Sequence, residues 1–264
     1  MNSKILAGLA ALTLFAGLGF AEDGASHPSA SYLKPGTVDI LSVLPPAPVV
    51  GDPRYDADRA VFRATRRYQG SPRWDLATND VQYGDAVMLK DFGCALGVAL
   101  TPDKAPHLMS LLAKAGHDTQ RETNIAKNFY RRLRPFLIDE GKTCQKPEEL
   151  KNSFDYPSGH TTGGWTWALV LADVAPERAS QILARGRAYG ESRIVCGAHN
   201  NSAVEAGRLS ATVTMSFVHN TPAYSEDLQA ARSELAALRK TSPAPALCEA
   251  ETDLVKLDIF APAP

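Results

Sequence analysis

The sequence predicts an all-α protein, a single-domain helical bundle that carries an extended N-terminal arm. Apolar residues recur at helical spacing through most of residues 54–240, which is the pattern of helices packed around one core. Proline and small hydroxyl residues stand where these patterns begin, as they do at helix N-termini. Runs of β-branched residues, which favour strands, are scarce. With 264 residues, of which 44% are hydrophobic, the chain is long enough to bury one such core.

The first 21 residues have the layout of a cleavable secretory signal peptide. Lys4 precedes an apolar run from Ile5 to Phe20, and small residues stand near the end of that run. An uncleaved membrane anchor is the alternative, but polar residues 22–24 follow the run directly. No later run is long enough to span a bilayer. The segment therefore predicts a periplasmic or secreted protein that leaves the membrane after cleavage.

Charge and cysteine content exclude some classes of function. A formal net charge of −1 gives no support for nucleic-acid binding. An even number of cysteines in a chain predicted to be exported leads us to expect two disulfides, in any of three pairings. The cysteine spacing does not resemble a zinc site, and no metal or cofactor is predicted. The cysteines are Cys94, Cys144, Cys196 and Cys248.

The segment after the signal peptide is not expected to be helical. Residues 22–53 are rich in Pro, Gly and Ser, so we predict an extended arm that lies on the surface. The helical pattern begins directly after it. Helices are predicted from Arg54 to Tyr68, from Ser71-Pro72, and from Asp85 with an apolar stretch over residues 86–100.

A longer helical pattern runs from Ala105 to Leu133. We expect it to end at Arg134, because a proline follows, and Gly116 could divide it into two helices. Its predicted buried side consists of Leu108, Leu111, Leu112, Ala115, Ile125, Ala126, Phe129 and Leu133.

Four further helices complete the predicted domain over residues 54–240. They run from the turn near residue 158 to Asp173, from Pro176 through Tyr189, over residues 203–218 and over residues 224–238. Propensity alone would also allow a strand over residues 210–218. Residues 241–264 are predicted to form a Pro/Ala-rich tail that Cys248 could attach to the domain.

The stretch from Tyr156 to Gly164 predicts a tight turn that opens onto an apolar helix. Ser158 and Gly159 stand between a proline and the helix, so we expect them to present free backbone N–H groups at the positive end of the helix dipole. Such a turn can bind an anion. His160 adds a group that gains or loses a proton near neutral pH. An ordinary helix start with a structural histidine is the alternative interpretation.

Two other segments supply cations and a second histidine. Lys127 and Arg134 are seven residues apart, which would place both on one face of the predicted long helix. Arg193 and His199 follow the turn, in a segment where Gly197 can bend the backbone. A solvated basic face, a surface ion pair or a buried structural histidine would explain each residue by itself. Together the three segments supply complementary parts of one reaction.

The three segments resemble a known signature. Lys-x6-Arg-Pro at residues 127–135, Pro-Ser-Gly-His at 157–160 and Ser-Arg-x5-His at 192–199 are similar to the signature of the superfamily of type 2 phosphatidic acid phosphatases and vanadium haloperoxidases. Within it, the chain resembles class A bacterial non-specific acid phosphatases. This resemblance extends over roughly residues 32–239, including the proline-rich stretch at 44–51.

The resemblance implies a role for each residue of the signature. His199 would attack phosphorus and form a phosphohistidine, and His160 would protonate the leaving alcohol and then activate water. The implied substrates are small-molecule phosphate monoesters of broad range, hydrolysed without a metal. Members of this family often form homo-oligomers, so a homo-oligomer is possible. The phosphate ligands would be Lys127, Arg134, Arg193, the Ser158 hydroxyl and the Gly159 N–H group.

One position departs from the family pattern. The family has an aspartate four residues after the nucleophilic histidine, where this chain has Ala203. That aspartate would orient the histidine, and loss of the equivalent carboxylate in serine proteases costs roughly ten-thousandfold in rate. Glu205 is a possible replacement, although it is displaced by about 200° around a helix. A backbone carbonyl or Asn200 could also orient the ring.

The leading hypothesis is therefore a secreted acid phosphatase. The alanine at position 203 favours an alternative, a catalytically weakened homologue that binds phosphate or vanadate. A vanadium-dependent haloperoxidase is less favoured, because the chain is short and resembles the class A enzymes outside the signature. A lipid phosphatase is disfavoured because that branch of the superfamily is embedded in membranes.

Overall fold

The computed structural model describes residues 31–246 and 248–261; the predicted signal peptide and residues 22–30 of the predicted arm lie outside this part of the chain. All regular structure in the described residues is helical, which confirms the predicted all-α class. The helices are α1 (Ile40–Val43), α2 (Pro53–Thr65), α3 (Pro72–Asn79), α4 (Asp85–Asp91), α5 (Gly93–Leu96), α6 (Pro106–Tyr130), α7 (Pro147–Leu150), α8 (Gly159–Val174), α9 (Ala179–Val195), α10 (Asn201–Val218), α11 (Pro222–Leu238) and α12 (Cys248–Lys256).

Capping residues set the starts of several helices. Asp52, Ser71 and Thr221 each accept a hydrogen bond from a backbone N–H in the first turn of the helix that follows. A proline stands at the first position of these same three helices, where its missing N–H costs nothing. The predicted proline and hydroxyl start signals are therefore confirmed at α2 and α3.

Helix α8 lies at the centre of the bundle and packs against α6, α9, α10 and α11. Its contact with α9 is close because glycines stand at the crossing. A Cβ atom on Gly164 would lie 2.3 Å from Tyr189, and one on Gly186 would lie 2.4 Å from the Ala168 side chain. Since α8 begins with Gly159 and His160 and α9 ends near Arg193, this crossing fixes their relative positions.

Helix α6 differs from its prediction at its C-terminal end. It runs through Gly116 without a break but stops at Tyr130, four residues before Arg134. Arg131 caps it in the left-handed conformation, with φ 47°, and Arg134 has extended backbone angles. The prediction that Lys127 and Arg134 lie on one helical face is therefore wrong, because only Lys127 is in the helix.

The predicted buried side of the long helix is confirmed at Ala126, which is fully buried, but is wrong at three other positions toward the C-terminal end. Ile125, Phe129 and Leu133 are 43%, 64% and 56% exposed. The inner face there is polar instead: the Thr123 hydroxyl lies 2.9 Å from the hydroxyls of both Thr162 on α8 and Ser210 on α10. Hydroxyls that satisfy one another replace apolar packing at this crossing, so hydrophobic periodicity misassigned the buried face.

The described part of the arm is anchored in the core, whereas the sequence predicted a segment lying on the surface. Leu33, Val38 and Ile40 are almost fully buried. Fully buried Asp118 on α6 accepts the backbone N–H groups of Tyr32 and Leu33 at 2.8 and 3.2 Å. The arm thus contributes side chains to the core although it contains only the short helix α1.

Three other segments refine the predictions. The apolar stretch over residues 86–100 forms two short helices, with Gly97 ending the second at φ 80°. Residues 210–218 are helical, so the strand suggested by propensity does not form. The predicted tail contains α12, in which Glu251 pairs with buried Arg185 at 2.9 Å.

The four cysteines form two disulfides, Cys94–Cys248 and Cys144–Cys196, which is one of the three pairings open to the sequence. The first attaches α12 to the short helix α5, and the second attaches the loop before α7 to the end of α9. None of the helices in the described residues combines the length and the apolar character needed to cross a bilayer.

Candidate active site

The three signature segments meet at one cavity of about 280 Å³. It opens between the C-terminal half of α6, the start of α8 and the loop between α9 and α10. The side chains that line it come from all three segments and from the loop before α4. Its lining residues are Tyr83, Gln120, Asn124, Lys127, Arg134, Ser153, Gly159, His160 and His199.

The N-terminus of α8 forms one side of the site. Ser158 is the cap: its Oγ accepts hydrogen bonds from the backbone and the hydroxyl of Thr161, which leaves its own hydroxyl proton available. The N–H groups of Gly159 and His160 have no acceptor among the described residues, as expected in a first turn. The sequence predicted a free N–H group at Ser158 as well. That prediction is wrong, because this N–H donates to the Ala203 carbonyl at 2.9 Å.

Two buried cations, Lys127 and Arg134, line the cavity, and a third, Arg193, is buried close enough for its charge to lower the pKa of His160. Lys127, Arg134 and Arg193 are 9%, 4% and 0% exposed. Burial, followed by the charge of Arg134, lowers the pKa of Lys127 to about 7. Burial likewise lowers the pKa of Arg134 and of Arg193 to about 10. A site that holds several desolvated cations close together is electrostatically prepared for an anion.

The hydrogen bonds of the two arginines leave donors for such an anion. Arg193 donates one Nη2–H to the Gln145 side chain at 2.7 Å, while its Nε and Nη1 have no partner among the described residues. Buried unpaired donors are rare in folded proteins, and these two belong to an arginine whose charge acts on His160. Arg134 is held by the carbonyls of Ser153 and Ala198, each at 2.7 Å, which fixes its guanidinium in the cavity wall.

The contacts of His199 assign its tautomer. Its Nε2 lies 3.0 Å from Arg134 Nη1, and because a guanidinium can only donate, Nε2 is the acceptor and carries no proton. Its Nδ1–H then donates to Asp155, whose backbone carbonyl and Oδ1 are 2.8 and 3.0 Å away. Burial and then the Arg134 charge hold the pKa of His199 well below its usual value. The ring therefore presents an unprotonated nitrogen on the side of Arg134.

Asp155 makes the contact to His199 that the family pattern would expect from an aspartate at position 203. It is fully buried, and its carboxylate also accepts from the side chain and the backbone N–H of Asn200, at 2.8 and 3.1 Å. Burial raises the pKa of Asp155, whereas the Arg132 guanidinium, 3.5 Å away, and the Asn200 hydrogen bonds oppose that shift. The sequence reasoning missed this residue, although an acid that stands directly before the Tyr-Pro-Ser-Gly-His turn could have been considered.

Arg132 connects Asp155 to a second buried carboxylate. Its Nη2 lies 2.8 Å from Asp58 on α2, and its Nη1 donates to Ser202 at 2.7 Å. Ser202 donates its backbone N–H to Asp58 at 2.8 Å. This buried network holds the loop that carries Asp155 against the start of α10.

Glu205 does not take the place of the missing aspartate. Its side chain is 58% exposed and pairs with Arg208 at 2.6 Å, so the suggested replacement is wrong. It lies on the outer side of α10, as expected from its displacement around the helix. Of the other two alternatives, a backbone carbonyl does contact the ring, and Asn200 contacts Asp155 instead of the histidine.

His160 stands on the opposite wall with one ring nitrogen engaged. Its Nε2 is 3.0 Å from the Val81 carbonyl, which can only accept, so Nε2 carries a proton and Nδ1 remains for proton exchange. Burial and then the Arg193 charge lower the pKa of His160 to about 3. The Tyr83 ring packs against the imidazole, with ring centres 5.7 Å apart.

Comparisons with known proteins agree with this arrangement. The profile of the PAP2 superfamily matches residues 107–227. The chain is 39% identical over 230 residues to an acid phosphatase of Zymomonas mobilis subsp. mobilis, with 86% of each chain covered. It is 34% identical over 232 residues to a non-specific acid phosphatase of Providencia stuartii, covering 86% of this chain and 94% of the relative. A non-specific acid phosphatase of Salmonella typhimurium is 36% identical over 198 residues, with 73% and 78% covered.

Proposed function

The chain belongs to the PAP2 superfamily, and on that premise we propose that it is an acid phosphatase that hydrolyses phosphate monoesters of broad range through a phosphohistidine. One observation carries the proposal. An unprotonated His199 nitrogen and a second histidine line one cavity together with two buried cations, and the nearby Arg193 has two unpaired donors. These groups can bind a phosphate group and transfer it to the histidine nitrogen.

Binding of the ester is assigned to the cations and the helix terminus. Lys127, Arg134 and Arg193 neutralise the phosphate oxygens, with the Ser158 hydroxyl and the Gly159 N–H group as neutral donors. Phosphoryl transfer requires little covalent chemistry from the protein apart from positioning and charge stabilisation. The unpaired Nε and Nη1 of Arg193 support this assignment, because a bound anion would satisfy both.

The first chemical step forms the phosphohistidine. His199 Nε2 attacks phosphorus in line, so that the new P–N bond forms while the P–O bond to the alcohol breaks. His160, protonated at Nδ1, gives that proton to the leaving oxygen. Asp155 keeps the His199 proton on Nδ1 and stabilises the positive charge of the phosphorylated ring.

The second step reverses the proton transfer. The neutral Nδ1 of His160 takes a proton from water, the resulting hydroxide attacks phosphorus, and the P–N bond breaks. His199 returns to its neutral tautomer and inorganic phosphate leaves. The contact between Asp155 and His199 supports an active enzyme over a catalytically weakened homologue, since a carboxylate reaches the ring from another position.

The proposed location is the periplasm or the exterior of the cell. The apolar run of residues 5–20 supports a signal peptide. The two disulfides also support export, because such bonds persist mainly in oxidising compartments.

Release of phosphate from a simple aryl phosphate tests the proposed function. The purified mature protein should release phosphate between acid and neutral pH, and His199→Ala should release none above background. Tight binding of phosphate without release by the unsubstituted protein would refute the proposal.

Anion binding is expected to be coupled to proton uptake. In the empty site, burial and nearby cations hold the pKa of His160 at about 3 and of Lys127 at about 7. A bound anion offsets those cations and raises both pKa values, so a group that is neutral in the empty site gains a proton on binding.

Calorimetry with sulfate measures this coupling, because sulfate remains a dianion throughout this pH range. Titrations at pH 5 to 6 in two buffers of different ionisation enthalpy should give binding heats that differ, with the sign of proton uptake. Identical heats in the two buffers would contradict the coupling.

The Cys144–Cys196 disulfide is expected to support activity directly. Cys196 is three residues before His199, and Gln145, next to Cys144, holds the Arg193 guanidinium. Replacing both cysteines with alanine should lower kcat/KM by about ten- to a hundredfold, since small displacements of catalytic groups are costly. The matched control is Cys94→Ala with Cys248→Ala, which should lower the melting temperature and leave kcat/KM unchanged. Equal effects of the two pairs on kcat/KM would contradict a specific role.

A further inference from the structure

A larger groove of about 710 Å³ adjoins the catalytic cavity. The two share three wall residues, Tyr83, Gln120 and Asn124. From there the groove follows the outer face of α6 toward Ala113 and Gly116. The signature segments do not account for this space, because none of their phosphate ligands lines it.

The direction of the proposed reaction points into this groove. In an in-line displacement the alcohol departs on the side of phosphorus opposite the attacking His199. His160 must lie beside the departing oxygen in order to protonate it. Since the Tyr83 ring packs against His160 and lines both spaces, the organic part of an ester that leaves beside His160 would enter the groove.

The lining of the groove combines aromatic surface with neutral hydrogen-bonding groups. Tyr83 and Ile125, which are 52% and 43% exposed, contribute accessible apolar surface, and the almost fully buried Trp167 and Leu112 lie beneath it. Gln120, Asn124 and Asn128 are spaced four residues apart along α6 and so lie on one face of it. Carboxamides beside aromatic surface suit a ring that carries hydrogen-bonding substituents.

The charges around the groove do not favour a second anionic group. Its arginine, Arg121, already contacts two fully buried carboxylates, Asp118 at 2.8 Å and Glu122 at 3.0 Å. Asp85 adds an exposed carboxylate at the rim, and His117 is the other titratable group in the lining. A carboxylate or a second phosphate on the organic part of a ligand would therefore meet the Asp85 carboxylate and an arginine whose charge Asp118 and Glu122 already offset.

We propose that this groove is the subsite for the alcohol part of the substrate, and that it selects monoesters whose alcohol is uncharged and carries a ring. The inference rests on the proposed function for the direction in which the alcohol leaves. Short alkyl esters would bind only through the phosphate ligands of the catalytic cavity. Esters with an anionic alcohol part would bind less well than neutral ones of the same size.

Phosphonates that cannot be hydrolysed test the subsite without requiring turnover. Binding of methylphosphonate, benzylphosphonate and 4-phenylbenzylphosphonate to the mature protein is measured by calorimetry. Affinity should rise by about tenfold with each ring, as expected from the apolar area that a ring buries. The anionic 4-carboxybenzylphosphonate should bind more weakly than benzylphosphonate.

Gly116 offers a substitution that fills the groove without removing a contact. A Cβ atom there would meet no other atom within 4 Å, and Gly116 is eleven residues, about 16 Å along the helix, from Lys127. Gly116→Phe should weaken 4-phenylbenzylphosphonate about tenfold or more and leave methylphosphonate unchanged. Gly116→Ala is the matched control and should change neither affinity by more than about twofold.

Each outcome decides for or against the subsite. Affinities that do not rise with the rings, tighter binding of the carboxylated ligand, or equal effects of Gly116→Phe on all ligands would each overturn it. Absence of binding to every phosphonate would overturn it as well. The proposed function fails separately: a protein that shows the expected binding series and hydrolyses no aryl phosphate retains the subsite but is not a phosphatase.

Discussion

Asp155→Asn is expected to lower kcat by about a hundred- to ten-thousandfold while changing KM little. The upper value is the cost of losing the equivalent carboxylate in a serine protease. The lower value applies if the Asp155 backbone carbonyl, which stays 2.8 Å from Nδ1, still holds the tautomer. What the substitution removes in either case is the negative charge that stabilises the phosphorylated ring.

Glu205→Gln is the matched control for Asp155→Asn. It removes a carboxylate from the position that the sequence suggested, but this carboxylate is exposed and pairs with Arg208. Its activity should therefore stay within about twofold of the unsubstituted protein, as for most surface changes.

A positioning role for Asp155 also predicts a spectroscopic change. Nitrogen NMR of labelled His199 should show a proton on Nδ1 in both proteins, because Arg134 and the Asp155 backbone carbonyl remain, and a lower pKa of the His199 ring in Asp155→Asn, which lacks the neighbouring negative charge. The network of Asp58, Arg132 and Ser202 should keep the variant folded. Loss of activity with an unchanged pKa of the His199 ring and an unchanged pH profile would argue that Asp155 is merely structural.

The two histidine variants are expected to differ in whether a phosphoenzyme forms and whether it persists. His199→Ala should abolish formation of a phosphoenzyme and lower kcat by about 10⁵-fold or more, as removal of a nucleophile does. His160→Ala should still be phosphorylated by an aryl phosphate, because a good leaving group needs no proton. Its phosphohistidine should persist, since activation of water by a general base contributes about 10²- to 10⁴-fold.

Rapid quenching with a radiolabelled aryl phosphate measures both effects. The label should be acid-labile and alkali-stable, as expected of a phosphohistidine, and should accumulate in His160→Ala. Labelling of His199→Ala would contradict the assignment of His199 as nucleophile. Turnover by His160→Ala without accumulation of label would contradict the assignment of His160 as the acid and base.

Local sequence determined the helical class and most helix starts. Capping groups and prolines act within one turn of the backbone, so Ser71-Pro72 and the Ser158 turn could be identified without tertiary information. The apolar run after the turn likewise identified the central helix α8. The run is continuous because nearly all sides of this helix are buried.

Only the tertiary structure decided which groups meet. Hydrophobic periodicity cannot detect that the inner face of the end of α6 is polar, or that Arg131 ends the helix before Arg134. It also could not find Asp155, which is forty-four residues from His199 along the chain. The signature specifies the position from which the family supplies its orienting carboxylate. The histidine requires only that some acceptor lies at its Nδ1, and any part of the chain can supply one. In this protein the loop before α8 supplies that acceptor, and the packing of α8 against α9 and α10 brings it into contact.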